Sequence, residues 1–293
     1  MRVYLRRCGE LEEDVRWVFE RLGWRRVVSP EDTVLVKPNF CGELGRGVTT
    51  HLELLRCVVE VLQERARVLV GETESPYKNL ERIFRRLELP CEVVNLSKVP
   101  GRRFERRYGM LELPELAFEA KIVNMPVMKT HVLTGMTLGI KNLFGLVQVP
   151  GKARYHHCID EVLLDVLELV RHRVVMNLLD GVYVMDGAGP MDGRVLPGGF
   201  IMGSRDVVAL DVCACRVAGV EPRSVPHVRR AMEMLESEPE LDGDAPPGLR
   251  LRVPEQGVHR WIARAQRFEI LRMLMDSKPV RLAGSRLLRM MGK

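Results

Sequence analysis

Residues 122–147 read IVNMPVMKTHVLTGMTLGIKNLFGLV. This block begins with a predicted strand of β-branched residues that ends at Asn124, and Pro126 then turns the chain. The rest of the block has glycines spaced among basic and amide side chains. Strand-like segments that alternate with helical ones flank it on both sides, a pattern typical of a parallel sheet covered by helices on both faces. We therefore predict an α/β fold with a mostly parallel sheet, a glycine-rich second half and a C-terminal helical tail.

Hydrophobic periodicity away from this block predicts the remaining elements. Strands are expected at 33–37, 67–71, 91–95, 121–124, 174–179, 182–185 and 200–203, helices at 10–22, 52–64, 77–87, 158–170 and 206–218, a hairpin at 101–113, turns at 186–199 and a linker at 239–247. Residues 1–240 are predicted to form one α/β domain, and the pattern leaves open a division into lobes 1–120 and 121–240. Residues 241–293 are predicted to be a linker and a basic amphipathic helical tail.

Composition narrows the class of protein. Among 293 residues, 46% are hydrophobic and 29% charged, which is typical of a globular chain rather than a disordered one. A net charge of +6 and only 5% aromatic residues give no strong nucleic-acid signal. The N-terminus lacks the apolar region of a signal peptide, and seven cysteines without framework spacing favour a reduced, cytoplasmic protein.

The basic residues are dominated by arginine, with 36 Arg against nine Lys, a bias similar to that of some thermophilic proteins. A lysine in this chain therefore stands out. Four of them lie in stretches rich in glycine, proline, asparagine or histidine, which we interpret as loops: Lys37, Lys129, Lys141 and Lys152.

Two predicted strands end in polar residues. Lys37 and Asn39 follow the strand at 33–37, and Thr49 or Thr50 is placed to cap the helix that begins near residue 51. Glu72 ends the strand at 67–71. The carboxyl ends of strands in an open α/β sheet are where ligands bind, so Lys37 and Asn39 are candidate substrate-binding groups for an anion.

The block at 122–147 and its continuation hold the densest chemistry. Lys129, His131, Lys141 and Asn142 form a donor-rich set suited to a phosphate or carboxylate. A histidine beside lysines is expected to stay neutral near pH 7 and to act as a base or a metal ligand. The continuation at 151–157 holds Lys152, Arg154, Tyr155, His156 and His157. Lys152 and His156 are the candidate binding groups among them, because at most one of two adjacent histidines faces a pocket.

Several alternatives stay open for these residues. The lysines could be solvated side chains of an amphipathic helix, and Glu72 could be a structural ion-pair partner. His131, His156 and Glu72 would make an open metal site, but no HxxxH or CxxC spacing accompanies them, so no metal is predicted. Among the acidic residues that follow, Asp186 is a candidate site residue and Asp206 an N-cap. Asp211 either pairs with a buried cation or faces the site.

Five motifs in this order resemble the DUF362 family, over roughly residues 30–225: VKPNF, GETES, NMPVMKTHVLTGMTLGIKNLFGLV, DGVYVMDGAGPMDG and GSRDVVALD. Many members of that family carry an appended ferredoxin-type domain, which this sequence lacks. The resemblance implies that the site residues of the family pattern correspond in this sequence to Lys37, Pro38, Asn39, Glu72, Lys129, His131, Lys141, Asn142, Gly145, His156 and Asp186. The block also has a remote likeness to nickel-pincer lactate racemases.

These observations leave three functions open. The first is an enzyme that acts on a small anionic substrate, in which His131 or Glu72 moves a proton and Lys129 and Lys141 stabilise negative charge. The second is a non-catalytic or electron-transfer-coupled binding protein whose partner is a ferredoxin-type protein, and the third is a racemase or isomerase. The sequence assigns no cofactor. The basic segment 280–293 is predicted to contact a partner or an anionic membrane surface.

Overall fold

A long mixed sheet organises the chain in a computed structural model that describes residues 1–75, 78–149 and 151–255. Its strands are β1 (Arg2–Arg7), β2 (Thr33–Lys37), β3 (Arg67–Glu72), β4 (Glu92–Asn95), β5 (Gly101–Arg106), β6 (Gly109–Pro114), β7 (Lys121–Asn124), β8 (Val127–His131), β9 (Gly135–Thr137), β10 (Val174–Asp186), β11 (Arg194–Ser204) and β12 (Glu240–Gly243). The helices are α1 (Leu11–Leu22), α2 (Trp24–Val27), α3 (Leu52–Gln63), α4 (Leu80–Arg85), α5 (Leu116–Glu119), α6 (Gly139–Leu143), α7 (Ile159–Val170), α8 (Val207–Val217) and α9 (Pro226–Ala231).

The strand order is β12-β1-β11-β10-β7-β2-β3-β4, with β8 and β9 attached through β10, and β5 and β6 forming a separate hairpin. Neighbours from β10 to β4 are parallel, whereas β11 is antiparallel to both β1 and β10. The predicted α/β fold with a mostly parallel sheet is thus confirmed.

Helices cover this sheet, and α1, α3 and α7 each do so with one apolar face. In α1 the residues Val15, Val18, Phe19 and Leu22 are buried, and Gly23 ends the helix in the left-handed conformation, at a φ of 64°. α1 and α3 pack in one core with the inward faces of β2 and β3. α7 packs in a second core and α8 in a third. Among the described helices, none is long and apolar enough to cross a membrane.

The structure corrects several local predictions. Strand β11 occupies much of the stretch predicted as turns, and β12 lies within the predicted linker and pairs with β1. Lys129 lies in strand β8 and Lys141 in helix α6 rather than in loops. The predicted cap at Thr49 or Thr50 is wrong, because residue 51 is the N-cap of α3 without a side-chain cap hydrogen bond.

The division into domains stays a prediction, although its boundary at residue 240 falls on a strand of the main sheet. Leu251 is also buried in the core beside α8. The predicted C-terminal helix, including 280–293, lies outside the described residues.

Candidate functional site

The candidate site lies at the carboxyl ends of the central parallel strands. Lys37 ends β2 and is paired in register with Asn124 at the end of β7. Glu72 ends β3, which is the neighbour of β2 on its other side. Three adjacent strands therefore place a cation, an amide and a carboxylate at one edge of the sheet.

Glu72 is the centre of a buried ion-pair group. Its Oε2 lies 2.9 Å from Nζ of Lys37, and its Oε1 lies 3.5 Å from Nζ of Lys78. The backbone amides of Thr73 and Phe40 also donate to this carboxylate, at 2.8 and 3.3 Å. Burial raises the pKa of Glu72, but the charges of Lys37, Lys78 and Lys152 outweigh burial, so the pKa is lowered. Glu72 therefore stays ionised at neutral pH.

Gly145 allows this ion pair to approach the loop that follows α6. A Cβ atom at this position would lie 2.6 Å from both Cε and Nζ of Lys37 and 3.0 Å from Oε1 of Glu72. Only a residue without a side chain fits at such distances. The glycine of the NLFG segment is thus a packing requirement of the Lys37–Glu72 pair.

Lys129 reaches the same region from β8. Its Nζ donates to Oδ1 of Asn39 at 2.7 Å and to the carbonyl oxygen of Val48 at 2.8 Å, and it lies 3.2 Å from Sγ of Cys41. The lysine is fully buried, yet among the described residues none of its partners is a carboxylate. Neutral dipoles hold this cation in place.

A chain of buried asparagines connects the two halves of the site. Nδ2 of Asn39 donates to Oδ1 of Asn142 at 2.9 Å, and Nδ2 of Asn142 donates to Oδ1 of Asn124 at 2.8 Å and to the carbonyl oxygen of Lys37 at 3.1 Å. Asn124 in turn donates to Oδ1 of Asn177 at 3.0 Å. Because each amide both donates and accepts, one unbroken chain spans β2, α6, β7 and β10.

Lys141 and Lys152 both lie near the ring of Phe144. Their Nζ atoms are 5.8 and 6.0 Å from its ring centroid. Burial, together with neighbouring lysines, lowers the pKa of Lys141 to about 8 and that of Lys152 to about 7. Among the residues described, neither has a carboxylate partner within ion-pair distance. We call Lys37, Lys78, Lys129, Lys141 and Lys152 the lysine cluster.

His131 ends β8 with a defined orientation. Its Nδ1 accepts hydrogen bonds from the backbone amides of Leu133 and Thr134, at 3.1 and 3.4 Å. Burial, followed by the charge of Lys141, lowers the pKa of His131 well below its usual value. The neutral ring therefore carries its proton on Nε2, and that atom is a hydrogen-bond donor.

His156 lies beside a cleft of about 180 Å³, whose lining residues are Leu133, His156, His157, Ile159, Asp160, Glu161, Pro226, Arg229 and Arg230. The charge of His156 also contributes to the lowered pKa of His131. In the part of the chain that the structure describes, no group of three or more His, Cys, Asp and Glu is arranged to hold a metal ion. The alternative set of His131, His156 and Glu72 is therefore not assembled there.

The acidic candidates have other partners. Asp186 lies 3.7 Å from the guanidinium of Arg194 and accepts a hydrogen bond from the backbone amide of Arg252. Asp206 is the N-cap of α8, as predicted. Asp211 forms no ion pair within the ranges that the structure describes; its carboxylate accepts hydrogen bonds from the first two backbone amides of α6, at 2.7 and 2.9 Å. Burial raises the pKa of Asp211 to about 7.

The sequence interpretation missed Lys78 and Cys41. Lys78 follows a strand end in a segment predicted as helix. Its side chain is nevertheless only 4% exposed, and its ammonium group lies 3.5 Å from Glu72. Cys41 was given little weight, although it follows directly after the VKPNF motif. That position in the motif was the signal that could have identified it.

Comparison with known proteins adds three findings. The chain matches the family model of DUF362, described as a domain of unknown function, over residues 34–216. It is 28% identical over 244 residues to a Synechocystis sp. protein named "Thylakoid-associated protein", covering 75% of this chain and 73% of that relative. A crystal structure of a Thermotoga maritima protein from the Northeast Structural Genomics Consortium aligns with a TM-score of 0.45 and 12% identity. That alignment covers 71% of this chain and 59% of that structure's length.

Proposed function

This chain belongs to the DUF362 family, and from that premise we propose that it binds a small anionic substrate at the lysine cluster and carries out acid–base chemistry on it. One observation supports the proposal above all others. Five ammonium groups converge on a buried region in which, among the described residues, their ion pairs go to the single carboxylate of Glu72.

Such an excess of buried positive charge is costly unless something neutralises it. Part of the relief comes from proton loss, which is what the lowered pKa values of Lys141 and Lys152 express. The other route is a bound anion, which contributes the missing negative charge. A phosphate or carboxylate group has the charge and the acceptor oxygens that this set of donors requires.

The residues divide into three roles. Lys37 and Glu72 hold each other in place at the ends of β2 and β3. The ionised Glu72 is a weak base. His131 offers the proton on Nε2 to a substrate oxygen. Lys152, with a pKa of about 7, exchanges protons near neutral pH, so that a large fraction of its amine is neutral there.

Anion binding is tested by calorimetry and thermal unfolding with inorganic phosphate, pyrophosphate and malonate. Binding to the native state alone raises stability by about 2.7 kcal/mol at a hundredfold excess over Kd. Lys141→Ala should weaken the effect, whereas Lys98→Ala should not, because Lys98 is an exposed partner of Glu81. If no anion in the panel stabilises the protein, or if both variants respond equally, the proposal is wrong.

A second proposal concerns the segment 280–293, which holds Arg281, Arg286 and Arg289 among leucines and methionines. The Synechocystis relative is named as thylakoid-associated, and basic amphipathic segments bind anionic lipid surfaces. We propose that this segment contributes membrane-surface binding. Deletion of 280–293 should abolish co-sedimentation with phosphatidylglycerol vesicles at low salt and leave phosphate binding unchanged. Equal co-sedimentation of both proteins would exclude this role.

A further inference from the structure

Lys152 differs from the rest of the lysine cluster in how its amine is held. Its Nζ donates to the hydroxyl oxygen of Thr73, and that hydroxyl donates in turn to the carbonyl oxygen of Gly145 at 2.5 Å. The contact uses an N–H of Lys152, so the lone pair of the neutral amine stays available. Thr73 therefore fixes the position of the nitrogen without neutralising a charge on it.

The nearest carboxylate is already occupied. Both oxygens of Glu72 are taken by Lys37, Lys78 and two backbone amides, as described above. Lys152 is consequently surrounded by cations and by one saturated carboxylate. Burial, and then the charges of Lys78, Lys37 and Lys141, lower its pKa to about 7. A lysine that is desolvated beside other cations is the arrangement that activates an amine as a nucleophile.

The residue Lys152 is partly exposed, and its amine is largely buried. The Nζ atoms of Lys152 and Lys141 lie 6.0 and 5.8 Å from the centroid of the Phe144 ring, and Lys141 has no carboxylate partner among the described residues. A small molecule lying along this ring can direct an anionic group to the ammonium of Lys141 and a second group to the amine of Lys152. The group that a neutral amine attacks is a carbonyl carbon.

We propose that Lys152 is a nucleophile that forms an imine with a small anionic aldehyde or ketone, such as a 2-oxo acid or a phosphorylated aldehyde, held by the lysine cluster. This inference rests on the proposed function and names its substrate class. Nζ forms a C–N bond to the carbonyl carbon as the C=O π bond breaks, and one N–H proton moves to the carbonyl oxygen, which gives a neutral carbinolamine. Its hydroxyl then leaves with the remaining N–H proton as one water molecule, which gives the neutral imine, and the imine takes one proton from solvent. No oxidant or reductant is needed.

The imine is tested by borohydride trapping on the intact wild-type protein. Pyridoxal 5′-phosphate is the probe because it is a phosphorylated aldehyde, pyridoxal is the matched probe without the phosphate, and peptide mapping identifies the modified lysines. Exposed Lys98 is the reference within the same molecule. At pH 7.5 we expect modification of Lys152 to be at least about tenfold faster than that of Lys98, because far more of its amine is neutral. The rate at Lys152 should reach half its maximum near pH 7.

Four further results are expected. Pyridoxal should modify Lys152 more slowly than its phosphate ester does, excess inorganic phosphate should protect Lys152 but not Lys98, and glyoxylate with cyanoborohydride should modify the same residue. Lys152→Arg should remove the labelling, and the wild-type measurements do not depend on that variant folding.

Equal rates at Lys152 and Lys98 would overturn the imine. If phosphate binds by calorimetry while Lys152 is not labelled preferentially, the imine is refuted and the anion site stands. If phosphate does not bind and pyridoxal labels as fast as its phosphate ester, both the anion site and its substrate class are refuted.

Discussion

Replacing Glu72 with Gln removes the only carboxylate that forms ion pairs with the lysine cluster in the described part of the chain. The two residues have nearly the same shape, so the change isolates the charge. In the wild-type protein the side chains of Lys37 and Glu72 are 0% and 3% exposed, and their charged atoms are 2.9 Å apart. Loss of one partner leaves Lys37 and Lys78 buried without a counter-charge.

Removing one member of a buried ion pair destabilises a protein by about 3–5 kcal/mol. In a chain of this size, that loss corresponds to a decrease in Tm of roughly 6–20 °C. The matched control is Glu81→Gln, which removes the partner of Lys98. That pair has a similar distance, 3.1 Å, but its side chains are 61% and 67% exposed. An exposed pair contributes about 0–1 kcal/mol.

Urea unfolding at pH 7.5 measures both variants against the wild type. A second measurement adds inorganic phosphate. Because Glu72→Gln increases the excess of positive charge, phosphate should stabilise this variant more than it stabilises the wild type. Phosphate should stabilise Glu81→Gln and the wild type by the same amount. A free-energy loss for Glu72→Gln within about 1 kcal/mol of that for Glu81→Gln would refute our account of the buried pair.

Three other predictions follow from the same geometry. Gly145→Ala should destabilise the protein by about 1–3 kcal/mol, because its Cβ overlaps Lys37. The control is Gly9→Ala, whose Cβ meets nothing within 4 Å. Equal urea midpoints for the two variants would contradict the overlap. The pKa of Lys152 in the folded protein is about 7. Between pH 7 and pH 10 the unfolded chain therefore binds one more proton than the folded protein, and the stability of the wild type increases with pH. Lys152→Met should flatten this increase. Thermal melts of this variant and of Lys98→Met should diverge only there, and parallel wild-type and Lys152→Met curves would show that Lys152 titrates normally. Asn142→Ala should lose about 1–3 kcal/mol by leaving buried partners unsatisfied, and it should weaken phosphate binding because Asn39 no longer holds Lys129 firmly. If calorimetry shows an unchanged affinity for phosphate, the asparagine chain does not support phosphate binding.

The sheet could be predicted from sequence because its central strands are short apolar runs that end in polar residues. Lys37 and Glu72 follow such runs directly, so adjacency of β2 and β3 was enough to bring them together. The block at 122–147 was similarly informative, since its spacing placed Lys129, Lys141 and Asn142 close in sequence. In each case the signal is a pattern of residues that are close together in the sequence.

The errors arose where tertiary contacts override local patterning. β11 contains Pro197 and several glycines, which resemble turns, yet it pairs with β10 across a register shift between Gly181 and Tyr183. Proline and glycine are tolerated in strands at such irregular positions. Asp211 could not be assigned because its partners are backbone amides of α6, about 70 residues away in sequence. Lys78 was missed because only the folded loop directs its long side chain back to Glu72.

The asparagine chain separates the shape of the site from its charge. Amide side chains hold the strand ends and α6 together, and amides neither gain nor lose protons in the range in which proteins are folded. The lysines, in contrast, change charge near neutrality. A change of pH can therefore alter the affinity of this protein for an anion while the contacts among the asparagines stay constant. Near-ultraviolet circular dichroism should be superimposable from pH 8 to pH 9, where Asp211, with a pKa of about 7, is already ionised and the affinity for phosphate still falls as Lys141, with a pKa of about 8, loses its proton.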